Sequence, residues 1–240
     1  MTWSIVARDD AAGQIGVAVA TCAFAVGARV PFVATGAGAI ATQAFVNPFY
    51  GYRGLELLRD GTTAEAVVAR LTEADAGRAE RQLHVMDGAG RSAAYTGDAC
   101  VPWCGHLVRE GFSVAGNMLA GPAVVADTAA AFEAAKGQPL AQRFLIAVKA
   151  GEAAGGDKRG RQSAAILIHD GEEYPFLDIR VDDHPDPLAE LERLEPVHRA
   201  RFAHYRKFMP SRERPAGVIG REEIEHCIAE SIAAEASGRP

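Results

Sequence analysis

The sequence predicts an α+β protein in which layered antiparallel sheets carry helices on their outer sides and a helical extension follows at the C-terminus. Three observations carry this. Short β-rich runs come in blocks rather than singly, helical patterns come in pairs between those blocks, and the last 50 or so residues turn to charged, proline-broken helix. A doubly wound parallel sheet would alternate single strands and helices, so the blocked order favours antiparallel layers. The chain of 240 residues is long enough for one large core, and 48% hydrophobic with 23% charged residues is a globular composition. The expected division is a core domain over 1–187 and a helical extension over 188–240.

Residues 3–8 (WSIVAR) and 14–21 (QIGVAVAT) are β-rich runs on either side of DDAAG, a connection suited to a hairpin. PFVATG and GAIATQA, again punctuated by glycine, complete four strands by residue 44. Apolar residues then recur at helical spacing over 52–59 (Leu55, Leu58) and 63–74 (Val67, Val68, Leu71), with Thr62 or Thr63 available as an N-cap. RQLHVMD and RSAAYTG flank DGAG as a second hairpin, and GFSVAGN adds a strand. Helices are expected over 122–136 and 139–151, and strands over 162–169 and 175–181. Beyond DDHPDP the chain reads as helix over 188–208, then a linker, PSRERPAG, then a helix over 221–235.

A net charge of −6 gives no electrostatic reason to bind a phosphate backbone, so no nucleic-acid partner is expected. The uncharged stretch over residues 13–28 is shorter than the roughly 20 residues of a membrane helix and is rich in Gly, Ala and Val, so no membrane partner is expected. Arg8 is followed at once by Asp9 and Asp10, unlike a secretory n-region, and four scattered cysteines need no disulfide framework; a cytoplasmic protein is expected. CVPWCGH brings Cys100, Cys104 and His106 close together but lacks a fourth zinc ligand at familiar spacing. DDHPDP gathers Asp182, Asp183, His184 and Asp186 without a sixfold oxygen pattern, and reads as the end of a strand and the cap of the next helix. No metal and no cofactor are therefore expected. His84, His169, His198, His204 and His226 show no partner spacing and receive no role.

The runs MTWSIVARD, GVAVAT, AVGARVPF, GAIATQAFVNPFYG, GNMLAGP, GGDKRGRQSAA and RVDDHPDP, in that order over roughly residues 1–190, resemble the bacterial and archaeal family known as domain of unknown function 1028. The resemblance implies the N-terminal nucleophile hydrolase fold, a four-layer αββα sandwich of two antiparallel sheets, in which the first residue of the mature chain begins the first strand and cleaves amide bonds. It implies no particular substrate.

Removal of the initiator Met, usual in bacteria before a side chain as small as Thr, would make Thr2 that first residue. A hydroxyl needs a base to become a nucleophile. A free α-amine, with a pKa of about 7.7 to 8.0, can supply one near neutral pH, whereas a Lys amine near 10.4 is mostly protonated. In a strand Thr2 shares a face with Ser4 and Val6 while Trp3 and Ile5 turn to the other layer, so Ser4 is placed to tune the amine or a water. Thr hydrolases of the proteasome type add a carboxylate at the end of the second strand and a Lys on the third. This chain has Thr21 and Cys22 at the first place and only Arg29 before PFVAT at the second.

Gln43, Asn47 and Asn117 carry amides able to recognise a carbonyl or an oxyanion, though each also suits the capping of a turn. In GGDKRGRQSAA the glycines permit close backbone approach, Lys158 and Arg161 can neutralise an anionic group, and Ser163 opens a strand. Pairing of these cations with Asp157 or the DDHPD carboxylates is the structural alternative. The segment lacks GK[ST] and follows a helix, so it is not a P-loop. The leading expectation is an amidohydrolase that cleaves a small, anionic, amide or peptide-like compound through an acyl-enzyme on Thr2. The alternative is a catalytically inactive binding or scaffold protein with the same cleft. A homodimer is the expected assembly, because closed twofold pairs are the commonest kind.

Overall fold

The computed structural model describes residues 2–237, and Met1, the proposed processing site, lies outside them. The chain divides into two compact units, Met1–Leu191 and Glu192–Pro240.

The first unit is mixed α+β with two antiparallel sheets. Strands β1 (Thr2–Asp9) and β2 (Gln14–Thr21) form the foreseen hairpin, with Thr2 opposite Thr21. They lie at the centre of a six-stranded sheet, between β9 (Ser163–His169) with its partner β10 (Leu177–Val181) on one side and β8 (Phe112–Asn117) with β7 (Gly105–Arg109) on the other. The second sheet has β3 (Pro31–Ala34), β4 (Gly38–Ala44), β5 (Arg81–Asp87) and β6 (Ser92–Thr96) side by side.

Alternation along each strand sorts its side chains between two environments. Val6, Val17, Val19, Ala39, Ala41, Met86 and Ala165 meet between the sheets. Ile40 of β4 and Leu83 and Val85 of β5, on the opposite face, turn outward to Leu55, Leu58, Val67 and Leu71 of helices α1 (Pro48–Arg59) and α2 (Ala64–Glu73). Helices α3 (Ala123–Ala134) and α4 (Leu140–Ala153) pack on the six-stranded sheet. Gly151 of α4 permits a close approach there: a Cβ on it would stand 2.7 Å from the Trp3 indole nitrogen, so any other residue would push α4 off β1.

Three elements differ from expectation. Helix α1 begins at Pro48, four residues earlier than the periodicity suggested, because Asn47 caps it by accepting from Phe49 N at 3.1 Å and Pro48 occupies the first turn, where its missing N–H is harmless. Strand β7 was unforeseen: GHLVR is an edge strand whose pattern is mostly exposed. The stretch expected as one helix over 188–208 is α5 (Pro187–Val197), a π-helical turn over His198–Phe202, and α6 (Ala203–Arg206). Pro196 lies inside α5 and has no N–H for the regular ladder, so the hydrogen bonding widens in the turn that follows. In the second unit α7 (Arg221–Ala236) runs as expected. No helix among the described residues is long and apolar enough to cross a membrane.

Candidate functional site

The layer between the sheets changes character along the strands. Apolar at Val6, Val17 and Met86, it becomes polar toward the end where β1 begins. There register aligns Asn117, Thr2, Thr21 and Ser163 in a row across four adjacent strands of the large sheet, with Gln43 opposite Gln82 in the small one. Thr2, Ser4, Gln43, Gln82, His84, Ser113 and Asn117 are all buried, Thr2 being 8% exposed.

Backbone carbonyls fix the orientation of the two glutamines. Gln43 Nε2 donates to Ala115 O (3.1 Å), Gln82 Oε1 (2.8 Å) and, more weakly, Thr2 O (3.4 Å). Gln82 Nε2 donates to Gly116 O (2.8 Å), Gly105 O (3.1 Å) and Thr96 Oγ1 (2.9 Å). Asn117 Nδ2 donates to Gln82 Oε1 at 3.0 Å and reaches Thr2 O at 3.5 Å. With its amide so turned, Gln43 presents Oε1 to Ser4, whose hydroxyl donates to it at 2.6 Å.

The proton on His84 then follows. Ser4 has one hydrogen and gives it to Gln43, so His84 Nε2, 2.8 Å from Ser4 Oγ, must be the donor of that contact. Burial, with His106 nearby, lowers the His84 pKa to about 3, and Ser113, able to accept from the charged ring, offsets only part of this. The ring is neutral, its Nδ1 bare, and Ser113 Oγ donates to it at 2.8 Å. At the other end Thr96, accepting from Gln82, gives its hydrogen to His106 Nδ1 at 2.9 Å. Donors therefore point one way along the whole chain, from Ser113 through His84, Ser4, Gln43, Gln82 and Thr96 to the exposed His106. Such aligned chains reinforce each bond.

The chemical consequence is a division of roles. A Ser–His dyad needs a bare imidazole nitrogen facing the hydroxyl, and Ser4 faces an N–H. Thr2 Oγ1 is not part of that chain; it lies 3.1 Å from Thr21 Oγ1, the residue at the second-strand end where a carboxylate was sought.

The glycine-rich loop closes this end of the sheet from outside. Asp157, its side chain fully buried, accepts from Cys22 N at 2.7 Å and from Arg159 N at 2.8 Å, and a bridge joins it to Leu119. Gln162 N donates to Thr21 O at 3.0 Å. The loop is thus tied to the chain just past β2 and just past β8, the two neighbours of β1.

Of the sequence-derived candidates, Thr2, Ser4, Gln43 and Asn117 come together. Ser163 lies in the same row, but its hydroxyl serves the backbone of the next loop, donating to Ala23 O (2.5 Å) and accepting from Val26 N (3.1 Å). Arg161 pairs with Glu152 (2.5 Å) and Asp186 (3.1 Å), the structural alternative foreseen for it. Lys158 is exposed and donates to Pro102 O at 2.7 Å. Asn47 lies elsewhere, at the start of α1, bonded to Asp75.

The sequence reading gave His84 no role; the structure places it at the centre of the network. RQLHVMD held the signal: alternation sets Gln82 and His84 on the inward face of a strand whose other face carries Leu83 and Val85 between Arg81 and Asp87. Thr96 was likewise missed, while Thr21 entered only as the residue standing where a carboxylate was sought and His106 only as part of an incomplete zinc set.

Cys104 Sγ contacts Cys100 O (3.5 Å), Cys100 Sγ contacts Arg81 O (3.3 Å), and no three His, Cys, Asp or Glu side chains among the described residues are disposed to hold a metal. Asp186 accepts from Ala189 N (3.1 Å) at the start of α5, and Asp183 pairs with Gln162 (3.1 Å).

A search of curated proteins gives no match. Among solved structures the chain is similar to protein SPO2555 from Silicibacter pomeroyi, at 33% identity and a TM-score of 0.84, covering 91% of this chain and 99% of that one. That crystal structure is itself assigned to DUF1028. The family of unknown function DUF1028 matches residues 2–191, essentially the whole first unit. The chain belongs to the DUF1028 family.

Proposed function

We propose that the protein is an amidohydrolase of the N-terminal nucleophile type, with the four-layer αββα sandwich of that class and Thr2 as the group that attacks the amide carbonyl. The observation that carries the reading is the placement of Thr2: first in the central strand, side chain between the sheets, carbonyl held by Gln43 and Asn117. With His84 a donor to Ser4, the α-amine of Thr2, released by removal of Met1, is the base the reading requires. The amine takes the hydroxyl proton, Oγ1 bonds the carbonyl carbon, and the same proton goes to the departing amine. Water then releases the acid and regenerates Thr2. The substrate is a small amide or peptide-like compound; for an anionic one, exposed Lys158 is the cation at hand, since Arg161 is paired within the protein.

A non-catalytic binding or scaffold role is the second reading. It is favoured by the uncharged character of the network: amides, hydroxyls and a neutral imidazole, where the better-known Thr hydrolases carry a carboxylate and a Lys.

Turnover of a panel of small amides by protein carrying an N-terminal tag, by processed protein and by Thr2→Ala separates the two. The proposal expects turnover only in processed protein, a loss of several orders of magnitude in Thr2→Ala, and partial activity in Thr2→Ser. Equal turnover in all three would remove Thr2 from the chemistry.

A further inference from the structure

On the helix-covered face of the small sheet, opposite the face that carries Gln43, Gln82 and His84, a cavity of about 490 Å³ opens between α1 and α2, within the size range of small-molecule sites. It is built by NPFYG, the motif whose Asn47 does not reach Thr2. Its floor is a closed polar knot. Asp75 accepts from Tyr50 OH (2.9 Å), Arg81 Nε (3.0 Å), Asn47 Nδ2 (3.3 Å) and Gly77 N (2.7 Å). Burial pushes this carboxyl up, but those four bonds outweigh it and hold its pKa at about 2, so Asp75 is anionic and balanced by Arg81. Burial, with the same bond to Asp75, raises the Tyr50 phenol well above its usual range. The floor therefore has no spare charge.

The rim differs. Phe49, Arg53, Glu56 and Leu57 of α1, continued by its C-cap Asp60, form one stripe, faced by Arg70 and Leu71 of α2 and its C-cap Ala74. Phe49 is 62% exposed, an unusual place for a phenyl ring, with the Arg53 guanidinium 5.1 Å over it. Arg53, Arg70, Glu56 and Asp60 put two positive and two negative charges around one opening, and none of the four forms an ion pair with another described residue.

We infer that the α1–α2 cavity is a binding site for a small zwitterion of the α-amino-acid type with an apolar side chain. Arg53 and Arg70 take the carboxylate, Glu56 and Asp60 the ammonium, and Phe49, Leu57 and Leu71 receive the side chain. A simple anion or cation would meet two like charges, whereas a zwitterion meets complementary charge at both ends. The inference does not rest on Thr2 being catalytic.

Calorimetric titration of the full chain with L-phenylalanine, N-acetyl-L-phenylalanine and L-phenylalaninamide tests it. Saturable binding of phenylalanine is expected, at least tenfold weaker binding of both derivatives, and at least fivefold weaker binding in Arg70→Gln and in Glu56→Gln, each checked for native circular dichroism. Thr2→Ala should leave the affinity unchanged. The inference is overturned by absence of binding of phenylalanine at millimolar concentration, by derivatives that bind as tightly as the parent, by charge variants with unaltered affinity, or by loss of binding in Thr2→Ala, which would place the ligand at the other site.

Discussion

At the scale of single residues, Ser4 and His84 illustrate how a buried hydroxyl and imidazole can serve architecture rather than catalysis. Ser4→Ala strands Gln43 Oε1 and the His84 N–H together, and each buried orphan costs about 1–3 kcal/mol. Denaturant unfolding should show a loss of that order while the far-ultraviolet circular dichroism stays native; no measurable loss would mean the chain of bonds is not as drawn. His84 also sets a pH dependence. Its folded pKa, about 3, lies below the unfolded value near 6.5, so between those limits the unfolded chain binds the extra proton. Stability should fall as pH drops from 6.5 toward 3, by roughly 1.4 kcal/mol per unit from this group. His84→Asn should be less stable at pH 7 yet lack that part of the slope; an unchanged slope would show that His84 is already charged in the native state.

At the scale of elements, the glycine-rich loop and the start of α1 are each fixed by one side chain. Asp157→Ala leaves the Cys22 and Arg159 N–H groups without their acceptor and should cost about 1–3 kcal/mol, measured as a lower midpoint of unfolding. Asn47→Ala removes a helix cap, for about 1 kcal/mol, together with a bond to Asp75. A fully stable Asp157→Ala would separate that loop from the strand ends beside Thr2.

Most of these elements were legible. The β1–β2 hairpin and β9 followed from alternation and glycine, because those strands bury consecutive rows of small apolar residues. β7 was not, since an exposed edge strand needs no apolar pattern. In the site, Thr2, Ser4, Gln43 and Asn117 were readable as polar residues at strand ends, whereas their joining to His84 depends on sheet stacking that brings residue 4 to residue 84, which local sequence does not encode. Asn47 was misplaced for the opposite reason: its local role as a helix cap, with Pro48 after it, was the one that prevailed.

At the scale of the whole molecule, the family match ends where the first compact unit ends, at residue 191. Limited trypsin digestion should cut first in the exposed segment at Arg212, the Arg214–Pro215 bond being resistant, before Lys158, Arg159 or Arg161, whose loop is tied down on both sides. Early cleavage at residues 158–161 would mean that the loop opens readily. The most direct measurement of the central claim is intact-mass analysis of untagged protein after reaction with a β-lactone, whose ring an activated Thr hydroxyl opens to leave a stable ester. The account predicts a chain without Met1, carrying one adduct mapped to Thr2 and absent from Thr2→Ala. A chain that keeps Met1, or one labelled equally in Thr2→Ala, would contradict it.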